Sequence, residues 1–192
     1  MLSVITLGHV HTDDLLALGP HVDRREQLVV DVAPRVALAD HRAEINRAVD
    51  AAGGDWLLII RERERIDDAL AAEIAAAMSA AKAWGFRIRT VPLYAGKPLR
   101  LGDEAGEVRL FHRRHLLRRG DVNVQGTVIR LSASLYATSF ASSAEHREYL
   151  AKDSVPHSGV RRALLFARYA MGARTLDRNT LRYLWIEAGF DR

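Results

Sequence analysis

Three short apolar runs, each closed by polar or turn residues, predict buried strands. They are "SVITL" (3–7), "QLVVDV" (27–32) and "WLLII" (56–60). Their β-branched residues are typical of strands that pack inside a sheet. We therefore expect a sheet in which all three of these strands are buried.

Helical spacing appears after the second and the third run. In the first of these segments apolar residues recur three and four apart, and the pattern stops at Gly53-Gly54, a typical helix end. Those apolar residues are Ile45, Ala48, Val49 and Ala52. A second helix is predicted to begin at Asp67 or Asp68 and to stop at Gly85, with one apolar stripe of Leu70, Ile74, Met78 and Ala81. Strands that alternate with helices indicate a mostly parallel sheet flanked by helices, which is an α/β fold.

Period-two alternation in "FRIRTVPLY" (86–94) predicts a further strand with basic side chains on one face. More strands are expected at "EVRLF" (107–111) and "VQGTVIRL" (124–131). From Ser143 onward the pattern is helical, with a break at Val155-Pro156. We therefore divide the chain into a sheet domain over residues 1–142 and a basic helical extension over residues 143–192, packed on that domain.

The composition fits one globular domain with such an extension. The 192 residues are 48% apolar and 27% charged. No apolar run approaches the roughly 18 residues of a membrane-spanning helix. The amino-terminal "MLSVITLGHV" has no basic leader or cleavage site, so a cytoplasmic protein is expected. The chain has no Cys, which excludes disulfides, thiolate metal sites and cysteine nucleophiles.

Basic residues are concentrated in the second half of a chain whose formal net charge is +4. "FHRRHLLRR" (111–119) contains four Arg, and "VRRALLFARYAMGAR" (160–174) has the pattern of an amphipathic helix. Such surfaces favour phosphates, nucleic acid or anionic membrane. No nucleic-acid-binding motif is present, so we expect no nucleic acid partner. Peripheral contact with the inner face of the membrane is one hypothesis, and an ordinary helix docked on the domain is the other.

A charged run, Arg61-Glu62-Arg63-Glu64-Arg65, directly follows the third predicted strand. In open parallel sheets, ligands bind beyond the carboxyl ends of the strands. By that rule the ends of interest are residues 7–9, 31–33 and 61–64. The charged run is therefore expected to face a ligand.

The order of these segments resembles the inverting family 2 glycosyltransferases of GT-A fold, especially their lipopolysaccharide-core and cell-envelope branch. The segments are "LVVD", "INRAVDAAGGDW", "GDWLLII", the charged run, "YAGKPLR" and "EVRLFHRR". The resemblance covers roughly residues 3–150 and implies a GT-A-like, Rossmann-like fold, a nucleotide-sugar donor and a saccharide acceptor. It implies that Asp31 contacts the donor nucleoside and that Asn46 frames the donor site. Lys97 and Arg109 are expected to contact acceptor or phosphate, and Glu107 and Arg109 to lie on the acceptor side or at the sheet edge.

The sequence departs from this family where the family binds its cation. Arg61 and Arg63 stand in place of two metal-binding Asp residues, and only Glu64 keeps the family's residue type. Arg has five N–H donors and no acceptor, so it cannot ligate a cation, but it suits bidentate phosphate contacts. We therefore expect no divalent metal or other cofactor, and we place all three residues at the donor site. The family's acidic pair before its next strand is also missing, which leaves Asp121 as the candidate catalytic base.

Three hypotheses follow. The first is metal-independent transfer of a sugar from a nucleotide-sugar donor to a cell-envelope saccharide. The second is a catalytically inactive domain of the same fold that acts as a binding or scaffold module. The third places the function on the basic carboxyl-terminal half. A metal site on His9 and His11, or on His112 and His115, would lack a third ligand fixed by spacing.

Overall fold

The computed structural model describes residues 1–8, 10, 12–31, 41–80, 82–99, 105–117, 122–152, 166–167 and 177–188. The strands are β1 Leu2–Leu7, β2 Arg25–Val30, β3 Trp56–Arg61, β4 Glu64–Arg65, β5 Gly85–Tyr94, β6 Lys97–Pro98, β7 Glu107–His112, β8 Leu116–Leu117, β9 Asn123–Val124 and β10 Val128–Phe140. The α-helices are α1 Arg42–Ala51, α2 Asp68–Ala80, α3 Ser143–Lys152 and α4 Arg178–Glu187, and short 3-10 helices span Thr12–Leu18 and Arg113–His115.

Eight strands form one sheet in the order β2-β1-β3-β7-β5-β10-β4, with β6 paired to β5. Strand β1 is parallel to both β2 and β3, whereas β7 is antiparallel to β3 and to β5. Strand β5 therefore runs in the same direction as β1, β2 and β3. The predicted class, an α/β sheet that is mostly parallel and flanked by helices, is confirmed.

The two faces of β3 pack on different helices. Because successive side chains of a strand point to opposite faces, Leu57 and Ile59 lie in one apolar cluster with Val49 of α1. Leu58 and Ile60 lie in a second cluster with Ile74 of α2. Both faces of this central strand are buried, as its uninterrupted apolar sequence predicts.

Strand β2 is not buried, contrary to the sequence prediction. Its residues alternate between exposed and half-buried, and the side chain of Val29 is 62% exposed. The reason is its position at one end of the sheet order, where it pairs with β1. The β-branched composition identified the strand but not its place at the sheet edge.

Residue contacts divide the chain into two units. Unit 1 consists of Met1–Thr90 and Asp103–Leu135, and unit 2 of Val91–Gly102 and Tyr136–Arg192. In this grouping residues 91–102 belong with the carboxyl-terminal helices, and the boundary after residue 142 stays a prediction. The core of unit 2 contains Tyr94, Leu99, Phe140 and Ile186.

Part of the helical extension predicted from the sequence lies outside the described residues. This applies to the break at Val155-Pro156 and to the amphipathic segment 160–174, apart from residues 166–167. Of the helices that the structure describes, none combines the length and hydropathy needed to cross a bilayer.

Candidate functional site

The carboxyl ends of the three parallel strands meet at one edge of unit 1. The last row of the strand register contains Val30 of β2, Leu7 of β1 and Arg61 of β3. The residues that follow this row are Asp31, Gly8 and Glu62. The Gly8 N–H donates to the Val30 carbonyl at 2.9 Å, and the Glu62 N–H donates to the Leu7 carbonyl at 2.8 Å. Asp31 is exposed there, two strand spacings or about 10 Å from the backbone of Arg61.

Gly8 is required at this edge by its backbone and by its neighbour. Its φ of +79° is a left-handed conformation that side chains disfavour. A Cβ at this position would lie 3.3 Å from Cβ and 3.5 Å from Oε2 of Glu62. The carboxylate of Glu62 therefore lies across the end of β1.

A tight turn at Glu62-Arg63 joins β3 to β4. Arg63 has φ +63°, which is uncommon for a residue other than glycine, and its side chain is 41% exposed. Its Nε lies 3.9 Å from Oε1 of Glu62. The backbone N–H of Arg61 donates to Oε2 of Glu64 at 2.8 Å, so the side chain of Glu64 closes the turn. Arg63 is thus an exposed cation of the charged run, as is Arg65 of β4.

Glu64 and Arg109 form a buried ion pair beneath this turn. Arg109 Nη2 lies 2.8 Å from Glu64 Oε1, and Nη1 lies 3.3 Å from Oε2. The side chains are 0% and 3% exposed. Arg109 lies on β7 between β3 and β5, so it is neither at the sheet edge nor open to an acceptor. This placement differs from the acceptor or phosphate contact expected from the sequence, because a buried carboxylate needs a charged partner.

Glu107 connects the buried pair to Arg61. Arg61 Nη2 donates to both carboxylate oxygens of Glu107 at 2.8 Å, and Arg109 Nη2 lies 2.9 Å from Glu107 Oε2. The Arg61 and Glu107 side chains are 28% and 45% exposed, so this pair faces solvent. Two Arg and two Glu therefore form one charge-balanced network. The sequence does not reveal the role of Glu107 in it.

The charged run at the end of β3 does not fit a divalent metal. Both oxygens of Glu64 are engaged by N–H donors, and Arg61 offers only donors. Across the described part of the chain, no group of three His, Asp or Glu side chains has an arrangement that would hold a metal ion. His9 and His11 lie outside the described residues.

The remaining predicted site residues are Asn46, Lys97 and Asp121. Asn46 lies half-buried in the middle of α1. Lys97 belongs to unit 2, where it is exposed on β6 and its carbonyl accepts from Asn179 Nδ2 at 3.4 Å. Asp121 lies outside the described residues.

The opposite, amino edge of the parallel strands holds a second acidic group. The Glu26 carboxylate accepts from the Ser3 hydroxyl and from the N–H groups of Gly53 and Gly54, the latter two at 2.5 and 3.2 Å. The hydrogen bond from Ser3 is the largest cause that holds the pKa of Glu26 below its ordinary value, and the two glycine N–H groups add to it. This carboxylate is therefore held ionised between β1, β2 and the loop before β3.

Aromatic rings and imidazoles cluster at the same amino edge. The rings of Trp84 and His115 are stacked with centroids 4.1 Å apart, and His112 packs edge-on against Trp56 and Trp84. Partial burial is the main cause that lowers the pKa of His112. The ring centroids of His112 and His115 are 5.7 Å apart, but the cluster provides no third metal ligand among the described residues.

Comparison with protein-family models and with curated proteins finds no match. Among solved structures, the chain is similar to the crystal structure of S. aureus TarS 1-349. The TM-score is 0.46 and the sequence identity 13%, and the similarity covers 100% of this chain and 72% of that chain. A likeness at this level assigns no role to any residue.

Proposed function

We propose that this chain is a glycosyltransferase-like domain that binds the nucleotide of a nucleotide-sugar donor at the carboxyl edge of β1, β2 and β3. The supporting observation is that Asp31, Gly8 and the Glu62-Arg63 turn follow the same row of the sheet register. Ligands of open parallel sheets bind at such an edge. The acceptor is proposed to be a cell-envelope saccharide, by the family resemblance of the sequence.

The chemistry of transfer assigns the charged residues. A nucleotide-sugar donor leaves a nucleoside diphosphate, whose negative charge must be neutralised as the glycosidic bond breaks. Arg61 and Arg63 take this role in the proposal, because guanidinium groups donate bidentate hydrogen bonds to phosphate and Glu64 is committed to the protein's own donors. Asp31 contacts the nucleoside, Asn46 frames the donor site and Lys97 contacts acceptor or phosphate. Asp121 serves as the base, whereas Arg109 is a structural partner of Glu64.

A catalytically inactive binding module is the second candidate. It is favoured by the buried Arg109–Glu64 pair, which uses the only acid of the charged run that keeps the family's residue type. A domain that no longer ligates a cation retains the fold and its nucleotide site without turnover. The two candidates differ in whether a donor sugar is transferred.

Calorimetric titration with uridine and guanosine diphosphates, with manganese or with chelator, tests the nucleotide site. We expect one of them to bind equally well in both conditions. In Asp31→Asn the affinity should fall about tenfold, the value of one hydrogen bond to a charged group. The control is Asp23→Asn, because Asp23 is equally exposed before the other end of β2. Binding that requires manganese, or an equal effect of both variants, would refute the proposal.

A transfer assay in the presence of chelator separates the two candidates. Release of nucleoside diphosphate from any of a panel of nucleotide sugars, lost in Asp121→Asn, supports the enzyme. Nucleotide binding without release from any donor supports the inactive module.

We place the protein in the cytoplasm at the inner face of the membrane. Support comes from α4, whose exposed residues Arg178, Leu181, Arg182 and Trp185 follow one stripe at spacings of three and four. Arg together with Trp and Leu on one stripe suits an anionic lipid surface. Co-sedimentation with phosphatidylglycerol vesicles should exceed that with phosphatidylcholine vesicles and should fall in Arg178→Gln/Arg182→Gln. Equal binding to the two vesicle types would rule this placement out.

A further inference from the structure

Arg61 has two attachments of different strength. Its backbone N–H is held by Oε2 of the buried Glu64, and its side chain is held by the half-exposed Glu107. The first contact fixes the end of β3 whatever the side chain does. The side chain alone can therefore change partner without any change in the strand.

The exchange of Arg61 away from Glu107 is cheap for two reasons. Ion pairs that face water contribute about 0–1 kcal/mol, whereas breaking a buried pair costs about 3–5 kcal/mol. In addition, Glu107 retains a cation when Arg61 leaves, since Arg109 Nη2 lies 2.9 Å from its Oε2. Arg109 has no comparable freedom, because it is 0% exposed and also holds Glu64.

We infer that Glu107 competes with ligand anions for Arg61. The Glu107 carboxylate holds the Arg61 guanidinium until a diphosphate displaces it. Glu107 occupies Arg61 with the same chemistry that a phosphate oxygen offers, namely an anionic acceptor for N–H donors. The inference rests on the proposed function, in which Arg61 meets the donor diphosphate. It adds that Glu107 lowers the affinity of the site for diphosphate and prevents weak monovalent anions from capturing Arg61.

Calorimetry with inorganic pyrophosphate tests this role of Glu107. Glu107→Gln should bind pyrophosphate about two- to fivefold more tightly than the wild type, the range that a half-exposed ion pair is worth. Arg61→Gln should bind it about tenfold more weakly, and adding Glu107→Gln to Arg61→Gln should give no gain. Asp23→Asn removes the same charge away from the carboxyl edge and should leave the affinity unchanged. A gain that persists without Arg61, or no gain in Glu107→Gln, would overturn the inference.

A second measurement follows Arg61 in the wild-type protein, so it stays informative even if a variant fails to fold. The Arg61 Nε–H signal in a nitrogen-15 spectrum, identified by its disappearance in Arg61→Lys, should move on addition of pyrophosphate but not of chloride at equal ionic strength. If uridine or guanosine diphosphate binds through Asp31 while this signal stays fixed, the exchange of Arg61 is refuted and the proposed function stands. If pyrophosphate moves the signal and neither nucleotide binds better than pyrophosphate, the nucleotide-sugar proposal is refuted and the exchange stands.

Discussion

The two edges of the parallel strands treat charge in opposite ways. At the amino edge, the Glu26 carboxylate is held by Ser3, Gly53 and Gly54 of its own chain. At the carboxyl edge, a half-exposed pair of Arg61 and Glu107 lies above a buried pair. The first edge is closed by its own hydrogen bonds, and the second keeps one cation available for exchange. The proposed ligand site is therefore distinguished from the amino edge by how its charges are held.

The largest effect is expected from removal of the buried cation at the carboxyl edge. Arg109→Met leaves Glu64 buried without its charged partner, which should lower the free energy of unfolding by about 3–5 kcal/mol. Urea denaturation followed by circular dichroism measures this change. Arg130→Met, the same change at an exposed Arg of β10, should cost less than about 0.5 kcal/mol. Similar losses in the two variants would contradict a structural role for the Arg109–Glu64 pair.

An intermediate effect is expected from crowding the amino edge. A Cβ on Gly54 would lie 2.5 Å from Ser3 Oγ and 2.8 Å from the Met1 carbonyl oxygen, so Gly54→Ala should destabilise the protein by about 1–3 kcal/mol. Gly53→Ala is the matched control, because its nearest atom is the flexible Met1 Cε at 3.0 Å. Thermal unfolding of the two variants should therefore differ clearly. Equal melting temperatures would show that the amino edge is not tightly packed.

The smallest effect is expected from the charge of Glu26. Its pKa is lowered in the folded protein, chiefly by the Ser3 hydrogen bond, so the ionised form is favoured on folding. The resulting stability is present above the ordinary pKa of a glutamate and is lost as the pH falls through the lowered value. The stability difference between wild type and Glu26→Gln should thus be constant near neutral pH and shrink in acid, by a fraction of a kcal/mol because the site is partly exposed. Denaturation at a series of pH values measures this stability difference. If the difference grew in acid, the pKa of Glu26 would be raised on folding and not lowered.

Much of the fold follows from local patterns, and the exceptions have tertiary causes. Local patterns predict β1 and β3, because a strand buried on both faces needs an uninterrupted apolar run. They also predict α2, because a helix buried on one side needs an apolar stripe. Strand β10 is 13 residues long, beyond the predicted segment 124–131, and its "SASLYATS" stretch has no strong period. Part of it is held by Glu73 of α2, which accepts from the N–H groups of Ser132 and Ala133. No local pattern reveals that contact.

The sequence predicts where in the sheet the candidate site lies, but not which of its charged side chains pair with each other. The carboxyl-end rule groups Asp31 with the charged run after β3, and the strand register places Val30 and Arg61, the last residues of β2 and β3, in one row. The pairing of Arg61 with Glu107, 46 residues away, depends on the insertion of β7 between β3 and β5. For the same reason Arg109, expected to contact acceptor or phosphate, is buried. The roles of Asp31, Asn46, Lys97 and Asp121 stay predictions.

The left-handed backbone of Arg63 has a consequence for natural variation. A turn at φ +63° is most easily made by glycine or asparagine, so an arginine there carries a conformational cost of about 1 kcal/mol or more. Homologues that need only the turn should drift to Gly or Asn at this position. Homologues that use the cation should keep Arg despite the cost. The residue at position 63 thus becomes a marker by which selection on the proposed anion site can be tested across species.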